Sequence, residues 1–227
     1  MTSITEHPTT APIEHRFNPY TDNGGTTLAI AGEDYCVVAA DTRQSEGYLI
    51  NSRYQPRAYK LSDKAVLATN GFYADGLTLS KRVTQRLEWY KHTHDKEMSV
   101  AALAQLLSIM AYSKRFFPYY SFNILGGLDE EGKGCVYSFD PVGSYERENY
   151  RVGGSGSALI QPFLDSRIGF KNQQAQFRFQ PLEEVIKVVK DAFTSATERD
   201  IHTGDYLEIF VITKSGVEVQ RMDLKKD

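Results

Sequence analysis

The chain has 227 residues, of which 41% are hydrophobic and 24% are charged. Its 26 basic and 29 acidic residues leave a net charge of −3, with no basic stripe typical of nucleic-acid binding and no polybasic cluster typical of a membrane surface. No apolar run approaches the roughly 20 residues that span a bilayer. We therefore expect one globular domain with neither a nucleic-acid nor a membrane partner.

The N-terminal stretch is predicted to be a leader. It reads MTSITEHPTTAPIEH, is rich in Thr and Pro, and has neither the apolar core of a secretory signal nor the arginines of a transit peptide. We expect residues 1–16 to form a flexible leader or propeptide and residues 17–227 to form a single domain.

The next stretch, NGGTTLAIAGEDYCVVAADTR, predicts a hairpin. Two apolar runs, at 26–31 and 35–40, flank a Gly-Glu-Asp turn. Because each run is apolar on both faces, it is typical of a strand that is buried on two sides. Asp41 ends the second run, where it either forms a turn or places a carboxylate at a site.

The remainder of the chain alternates between groups of strands and groups of helices. Strands are predicted at 48–52, 58–61, 65–69, 122–126, 135–139, 145–152, 206–213 and 217–222, and helices at 71–92, after a Ser99 cap, at 158–165 and at 182–199. This order has no regular βα alternation. It favours an α+β fold in which two antiparallel sheets pack together and helix pairs cover them.

Cysteine and histidine are sparse. Cys36 and Cys135 both fall inside predicted strands, which indicates buried thiols in a reducing compartment rather than a disulfide framework. His92 and His94 stand two apart near a helix end, with no cysteine or carboxylate cluster beside them. We predict no metal site and no cofactor.

Two glycine-rich segments raise the alternative of a nucleotide-binding enzyme. The segment 127–133 matches GxxxxGK, but Gly134 stands where magnesium needs Ser or Thr, and three acidic residues in the loop would repel phosphates. A hairpin turn is favoured there. The segment 153–157 precedes a helix and either cradles an anion or forms a tight turn, and its lack of dinucleotide spacing favours the turn.

The combined pattern resembles a known family. A Gly-Gly-Thr-Thr before a buried strand, an Asp-Thr-Arg after its partner, a Ser-Gly-Ser turn and a late Arg-Asp pair are similar to the proteasome beta subunits, which are N-terminal nucleophile hydrolases. The resemblance extends from residue 17 onward and implies a four-layer αββα sandwich. RFFPYY (115–120), GGLDEEGKG (126–134) and YSFDPVGSYER (137–147) resemble the class at the sixth position of the beta ring.

The resemblance also implies partners and a location. The partners would be other proteasome alpha and beta subunits in stacked heptameric rings, which degrade ubiquitin-tagged proteins in cytosol and nucleus. Phe116, Phe117, Tyr119 and Tyr120 form a candidate contact between subunits, with ordinary core packing as the open alternative.

Active family members cut after a glycine to free a threonine, whose hydroxyl attacks a peptide carbonyl with help from the new amine, a lysine and an aspartate. Alignment from Asp41, which matches the family aspartate, puts Gly25 in the nucleophile position and Arg57 in the lysine position. Arginine keeps its charge and cannot shuttle a proton. Thr26 is one residue too late, and a slip of one would turn every side chain of its strand to the opposite face.

Other family positions persist in this sequence. Gly71 matches the glycine whose backbone N–H stabilises the oxyanion, and Ser155 and Asp200 match site positions, whereas Thr203 replaces a family serine. The resemblance therefore implies a relic site at Gly25, Asp41, Arg57, Gly71, Ser155 and Asp200, in a non-catalytic subunit. The alternative is an active threonine endopeptidase that uses Thr26 after autolysis at Gly25.

Overall fold

The computed structural model describes residues 17–171 and 173–227, so the predicted leader lies outside the described residues. The described residues form β1 (Thr26–Ala31), β2 (Cys36–Asp41), β3 (Gln44–Glu46), β4 (Leu49–Ser52), β5 (Ala58–Ser62), β6 (Ala65–Gly71), α1 (Tyr73–His94), α2 (Val100–Tyr112), β7 (Ser121–Leu128), β8 (Gly134–Phe139), β9 (Tyr145–Glu148), β10 (Tyr150–Gly154), α3 (Ser157–Arg167), α4 (Leu182–Thr197), β11 (Tyr206–Thr213) and β12 (Gly216–Asp223).

The strands form two five-stranded antiparallel sheets and a small hairpin. The first sheet has the order β10-β1-β2-β11-β12, the second has the order β5-β6-β7-β8-β9, and β3 pairs with β4. In the first sheet Thr27 lies opposite Ala40, as the predicted hairpin requires. All residues of β1 and β2 are buried, because this hairpin lies between two neighbouring strands and two covering layers.

Three clusters of buried apolar side chains fill the spaces between the layers. One lies between the first sheet and helices α3 and α4, one between the two sheets, and one between the second sheet and helices α1 and α2. The predicted four-layer αββα sandwich of two antiparallel sheets is therefore confirmed. No helix of residues 17–171 or 173–227 is long and apolar enough to cross a membrane.

Local sequence signals account for the helix and turn positions. The Ser99 hydroxyl accepts a hydrogen bond from the Ala102 N–H at 3.2 Å and caps α2, as predicted. Asp129 closes the turn between β7 and β8, because its carboxylate accepts from the N–H groups of Glu131 and Lys133 at 3.0 Å. The GxxxxGK segment is thus a hairpin turn, as favoured from its acidic residues.

One predicted strand was wrong. Residues 145–152 form two strands, of which β9 pairs with β8 in the second sheet and β10 pairs with β1 in the first. The chain crosses between sheets at Asn149, whose carbonyl accepts from Ala31 N–H. An unbroken run of strand-forming residues shows that the backbone is extended, but it does not show which neighbour each half pairs with. The short strand β3 was also missed, because Gln-Ser-Glu carries no apolar alternation.

Candidate functional site

Arg57 lies at the centre of the site that the sequence indicated. It precedes β5, its side chain is 6% exposed, and its guanidinium donates to three backbone carbonyls. Nε donates to Asp41 O at 3.1 Å, while the two terminal nitrogens donate to Gly24 O and Arg43 O. A planar fork of donors suits this task, because each nitrogen reaches a different carbonyl.

Gly25 lies directly against that guanidinium. Its φ is +83°, in the region that favours glycine. A Cβ built on Gly25 would stand 1.5 Å from Nη1 and 2.0 Å from Cζ of Arg57. The arginine therefore occupies the volume that a side chain at position 25 would need, and the two cannot coexist in this conformation.

Asp41 is fully buried at the end of β2, and its carboxylate accepts hydrogen bonds from two backbone N–H groups. Its Oδ1 accepts from Thr26 N–H at 2.8 Å and its Oδ2 accepts from Gly204 N–H at 3.0 Å. Arg57 Nε lies 3.7 Å from Oδ1. Burial raises the pKa of Asp41, and the guanidinium and the two N–H donors oppose that rise.

Thr26 is fully buried, and its hydroxyl has partners. The hydroxyl accepts from Gly156 N–H at 3.0 Å and lies 2.7 Å from the Thr203 hydroxyl. Thr203 donates in turn to Asp200 Oδ2 at 2.6 Å. The Thr26 hydroxyl therefore donates its proton in a hydrogen bond to Thr203. A nucleophilic hydroxyl would instead have to donate that proton to a base.

The remaining predicted positions, Ser155, Asp200 and Gly71, form hydrogen bonds to the Gly25 carbonyl or to residues next to it. Ser155 approaches Gly25 O with both its N–H, at 2.9 Å, and its hydroxyl, at 3.2 Å. The same hydroxyl lies 2.7 Å from Asp200 Oδ2. Gly71 ends β6 with a φ of +101°, and its carbonyl accepts from Asn23 N–H at 2.9 Å. The fold thus brings all these positions to one junction beside Gly25.

Sequence reasoning missed several side chains of this junction. The Asn70 amide donates to Gly25 O at 2.9 Å, and Arg43 is fully buried with its Nε 2.7 Å from Asp205 Oδ2. Arg43 also presents the carbonyl that Arg57 binds. A signal existed for Arg43, since an arginine that follows a buried strand by two residues is buried only when its charge is paired. No pattern located that partner at Asp205, 162 residues away in the chain.

The arrangement is equipped to hold backbone rather than to transform a substrate. Position 25 has no hydroxyl, Arg57 cannot give up its proton, and the Thr26 hydroxyl is engaged. In the part of the chain that the structure describes, no three His, Cys, Asp or Glu side chains are grouped to hold a metal ion. What remains is a buried junction in which three carbonyls converge on one guanidinium.

Comparison with known proteins places this geometry in a family. A model described as proteasome subunit matches residues 21–212. The chain is 53% identical over 224 residues to proteasome subunit beta type-1 of Danio rerio, covering 98% of this chain and 94% of the relative. It is 52% identical to proteasome subunit beta type-6 of Saccharomyces cerevisiae, covering 95% and 94%, and 54% identical to proteasome subunit beta type-1 of Arabidopsis thaliana, covering 93% and 97%.

Proposed function

This chain belongs to the proteasome subunit family and assembles with other proteasome subunits, and we propose that it is a non-catalytic beta subunit of the 20S core particle. In this role it supports assembly of the ring and the degradation of proteins by active neighbours. Its relatives named beta type-1 and beta type-6 support the proposed position, the sixth of the beta ring.

One observation carries the proposal. The guanidinium of Arg57 fills the space where a side chain at position 25 would stand. This overlap supports the expectation that Gly25 and Arg57 replace the nucleophile and the proton-transferring lysine of active family members. The positions Asp41, Ser155 and Asp200 remain occupied by polar residues because each holds backbone or neighbouring hydroxyls. The site is on this argument a structural relic.

The alternative is an active threonine endopeptidase that uses Thr26. The hydrogen bonds that Thr26 makes in the structure argue against it. The Thr26 hydroxyl would have to abandon Gly156 and Thr203, and its N–H would have to leave Asp41 to become a free amine. A freed Thr26 would still face Arg57 instead of a lysine.

The proposal extends to the setting of the subunit. We infer stacked heptameric alpha and beta rings that degrade ubiquitin-tagged proteins in an ATP-dependent pathway, located in the cytosol and the nucleus. The leader 1–16 would be trimmed by active neighbours, because this chain has no nucleophile of its own. These inferences come from the family relationship.

The test is the intact mass of this chain in purified core particle, with and without a covalent inhibitor that reacts with catalytic threonines. We expect an N terminus upstream of Gly25 and no increase in mass, while catalytic neighbours in the same sample gain one inhibitor each. A chain that starts at Thr26 and carries one inhibitor would contradict the proposal.

A further inference from the structure

An unusual set of side chains covers the end of α2 and the segment that follows it. Phe116 is 94% exposed, and Tyr112 and Phe117 are exposed as well. Arg115 Cζ lies 5.9 Å and 5.5 Å from the ring centroids of Tyr112 and Phe116. We call the surface formed by Arg82, Tyr112, Lys114, Arg115, Phe116 and Phe117 the cation–aromatic patch.

The patch concentrates contacts between cations and rings. Lys114 Nζ lies 5.7 Å from the Phe117 centroid and 5.0 Å from that of buried Tyr119, which Arg82 also covers at 5.8 Å. Three cations thus lie beside four aromatic rings on one surface.

The cations of the patch lack acidic partners within the described residues. The sequence has no Asp or Glu between Glu97 and Asp129, and the ion pairs on either side of this stretch use other cations. Asp75, in α1, uses its carboxylate to accept from Tyr120 N–H at 2.9 Å. Among residues 17–171 and 173–227, Lys114 and Arg115 therefore lie beside exposed aromatic rings, and Arg82 beside buried Tyr119, without a carboxylate in an ion pair.

We propose that the cation–aromatic patch is a docking surface for another subunit of the same assembly, which presents a carboxylate flanked by apolar side chains. Aromatic residues and arginine are the types enriched at interface cores, where they contribute most of the binding free energy. A carboxylate opposite Arg115 supplies the missing charge. Because Arg115 is already held between two rings, little conformational entropy is lost when the partner binds. This inference rests on the proposed function, since it needs the assembly.

The first experiment measures incorporation of a tagged chain into core particle in cells where it is the only copy. We expect Arg115→Glu to lower incorporation about tenfold or more, since it sets like charges against each other, and Arg115→Lys to lower it far less. Phe116→Ala serves as a second variant that changes no charge, and it should also lower incorporation. Tyr48→Ala, which truncates a 98% exposed ring outside the patch, is the matched control.

The outcomes separate the two proposals. Absence of the wild-type chain from core particle would contradict the proposed function. Incorporation of the wild-type chain with equal incorporation of Arg115→Glu and Phe116→Ala would overturn the docking surface alone. Variants that accumulate as soluble unassembled chain with wild-type proteolytic resistance, and that fail to enter the particle, would support it.

A second measurement identifies the occupant. Hydroxyl-radical labelling of purified core particle should leave the Phe116 ring unmodified while it labels Tyr48. Tyr20 lies at this surface, with its ring centroid 5.8 Å from that of Phe117. The experiment therefore tests the leader, which contains Glu6 and Glu14, as the competing occupant. Labelling of Phe116 after deletion of residues 1–16, with assembly intact, would overturn the proposal in favour of the leader.

Discussion

At the scale of single residues, the main feature is that Gly25 and Arg57 depend on each other. The Arg57 guanidinium occupies the space that a side chain at position 25 would need. The guanidinium reaches three carbonyls only because residue 25 has no side chain, and residue 25 keeps a φ of +83° only because it is glycine. A threonine at position 25 would require both a different side chain at position 57 and a different backbone conformation. Neither change alone would make room for a side chain at position 25.

The first prediction separates the steric overlap from the backbone strain. Gly25→Ala should lower the free energy of unfolding by about 3 kcal/mol, because it combines a positive φ with overlap against a buried guanidinium. The control Gly47→Ala also has a positive φ, +59°, but its Cβ would meet nothing within 4 Å. It should cost only about 1 kcal/mol. Denaturant unfolding measures both.

The overlap also predicts a coupling between the two positions. In the double variant Gly25→Ala/Arg57→Ala the clash is absent, so its loss of stability should be smaller than the sum of the single losses by about 1–3 kcal/mol. Additive losses would show that the overlap does not determine the stability of the site.

A second prediction concerns the geometry of the arginine donors. Arg57→Lys keeps the charge but offers one nitrogen, which cannot reach the carbonyls of Gly24, Asp41 and Arg43 together. The buried carbonyls left without donors should lower the free energy of unfolding by about 2–4 kcal/mol. Arg53→Lys, at a half-exposed arginine whose main contact is Asp205, should cost about 1 kcal/mol or less. Equal losses for the two variants would contradict this account.

At the scale of secondary structure, two hydrogen bonds link α3 to β10: Val152 N–H donates to Gln161 Oε1 at 2.9 Å, and the second joins two side chains. The Tyr150 hydroxyl donates to Asp165 Oδ1 at 2.6 Å, and Lys171 lies 3.5 Å from the same oxygen. The hydrogen bond from Tyr150 is the largest influence on Asp165 and lowers its pKa below the ordinary 3.8. Since the folded state holds this carboxyl ionised, the contact stabilises the fold above the unfolded pKa.

This contact gives the third prediction. The stability that depends on a depressed carboxyl pKa is present above 3.8 and is lost as pH falls through the folded pKa. The loss of stability in Tyr150→Phe should therefore be larger at about pH 6 than at about pH 3. Tyr48→Phe, at an exposed ring, should show no such dependence. A Tyr150→Phe effect that is independent of pH would refute the role of the hydrogen bond.

The two cysteines give a fourth prediction for the buried strands. Both are free and fully buried, in β2 and β8. Burial raises the pKa of Cys36 strongly and that of Cys135 to about 11, so both are thiols near neutral pH. A thiol reagent should modify neither in the folded chain and both after unfolding. Ser215→Cys, in the exposed turn before β12, should react at once and confirm that the reagent is active.

At the scale of the whole molecule, Gly126 lies where the second sheet packs closely against the first. A Cβ there would stand 2.4 Å from Val38 Cγ2 and 3.0 Å from Cys36 Sγ, across the space between the sheets. The glycine in the middle of β7 therefore sets the spacing of the two inner layers. No local turn or positive φ explains its presence, because the requirement comes from the opposite sheet.

The fifth prediction follows from this spacing. Gly126→Ala should lower the free energy of unfolding by about 1–3 kcal/mol through overpacking. Val38→Ala removes the atom closest to the new Cβ. The double variant Gly126→Ala/Val38→Ala should therefore lose less free energy of unfolding than the sum of the losses in the two single variants. Gly153→Ala, where the tightest contact would be 3.3 Å, is the milder control. A Gly126→Ala variant as stable as wild type would show that the sheets can move apart freely.

Several elements could be predicted from local patterns because their determinants are local. The hairpin of β1 and β2, the Ser99 cap and the acidic turn after β7 each depend on residues that are neighbours in the chain. The division of 145–152 between two sheets could not be predicted, because it depends on pairing with β8 and β1. For the aromatic residues at 116–120 the sequence left a subunit contact and core packing open, and only the structure separates exposed Phe116 from buried Tyr119.

The sequence by itself determined the fold class and the family, and it singled out Gly25 and Arg57 as candidate site residues, because residue identity needs no coordinates. The tertiary structure decided how those two residues fit together. Only in three dimensions does the guanidinium enter the space above Gly25, and only there do Asn70, Arg43 and Asp205 join the junction. The physical reason is that packing and buried hydrogen bonds are set by contacts between distant parts of the chain, which local periodicity does not encode.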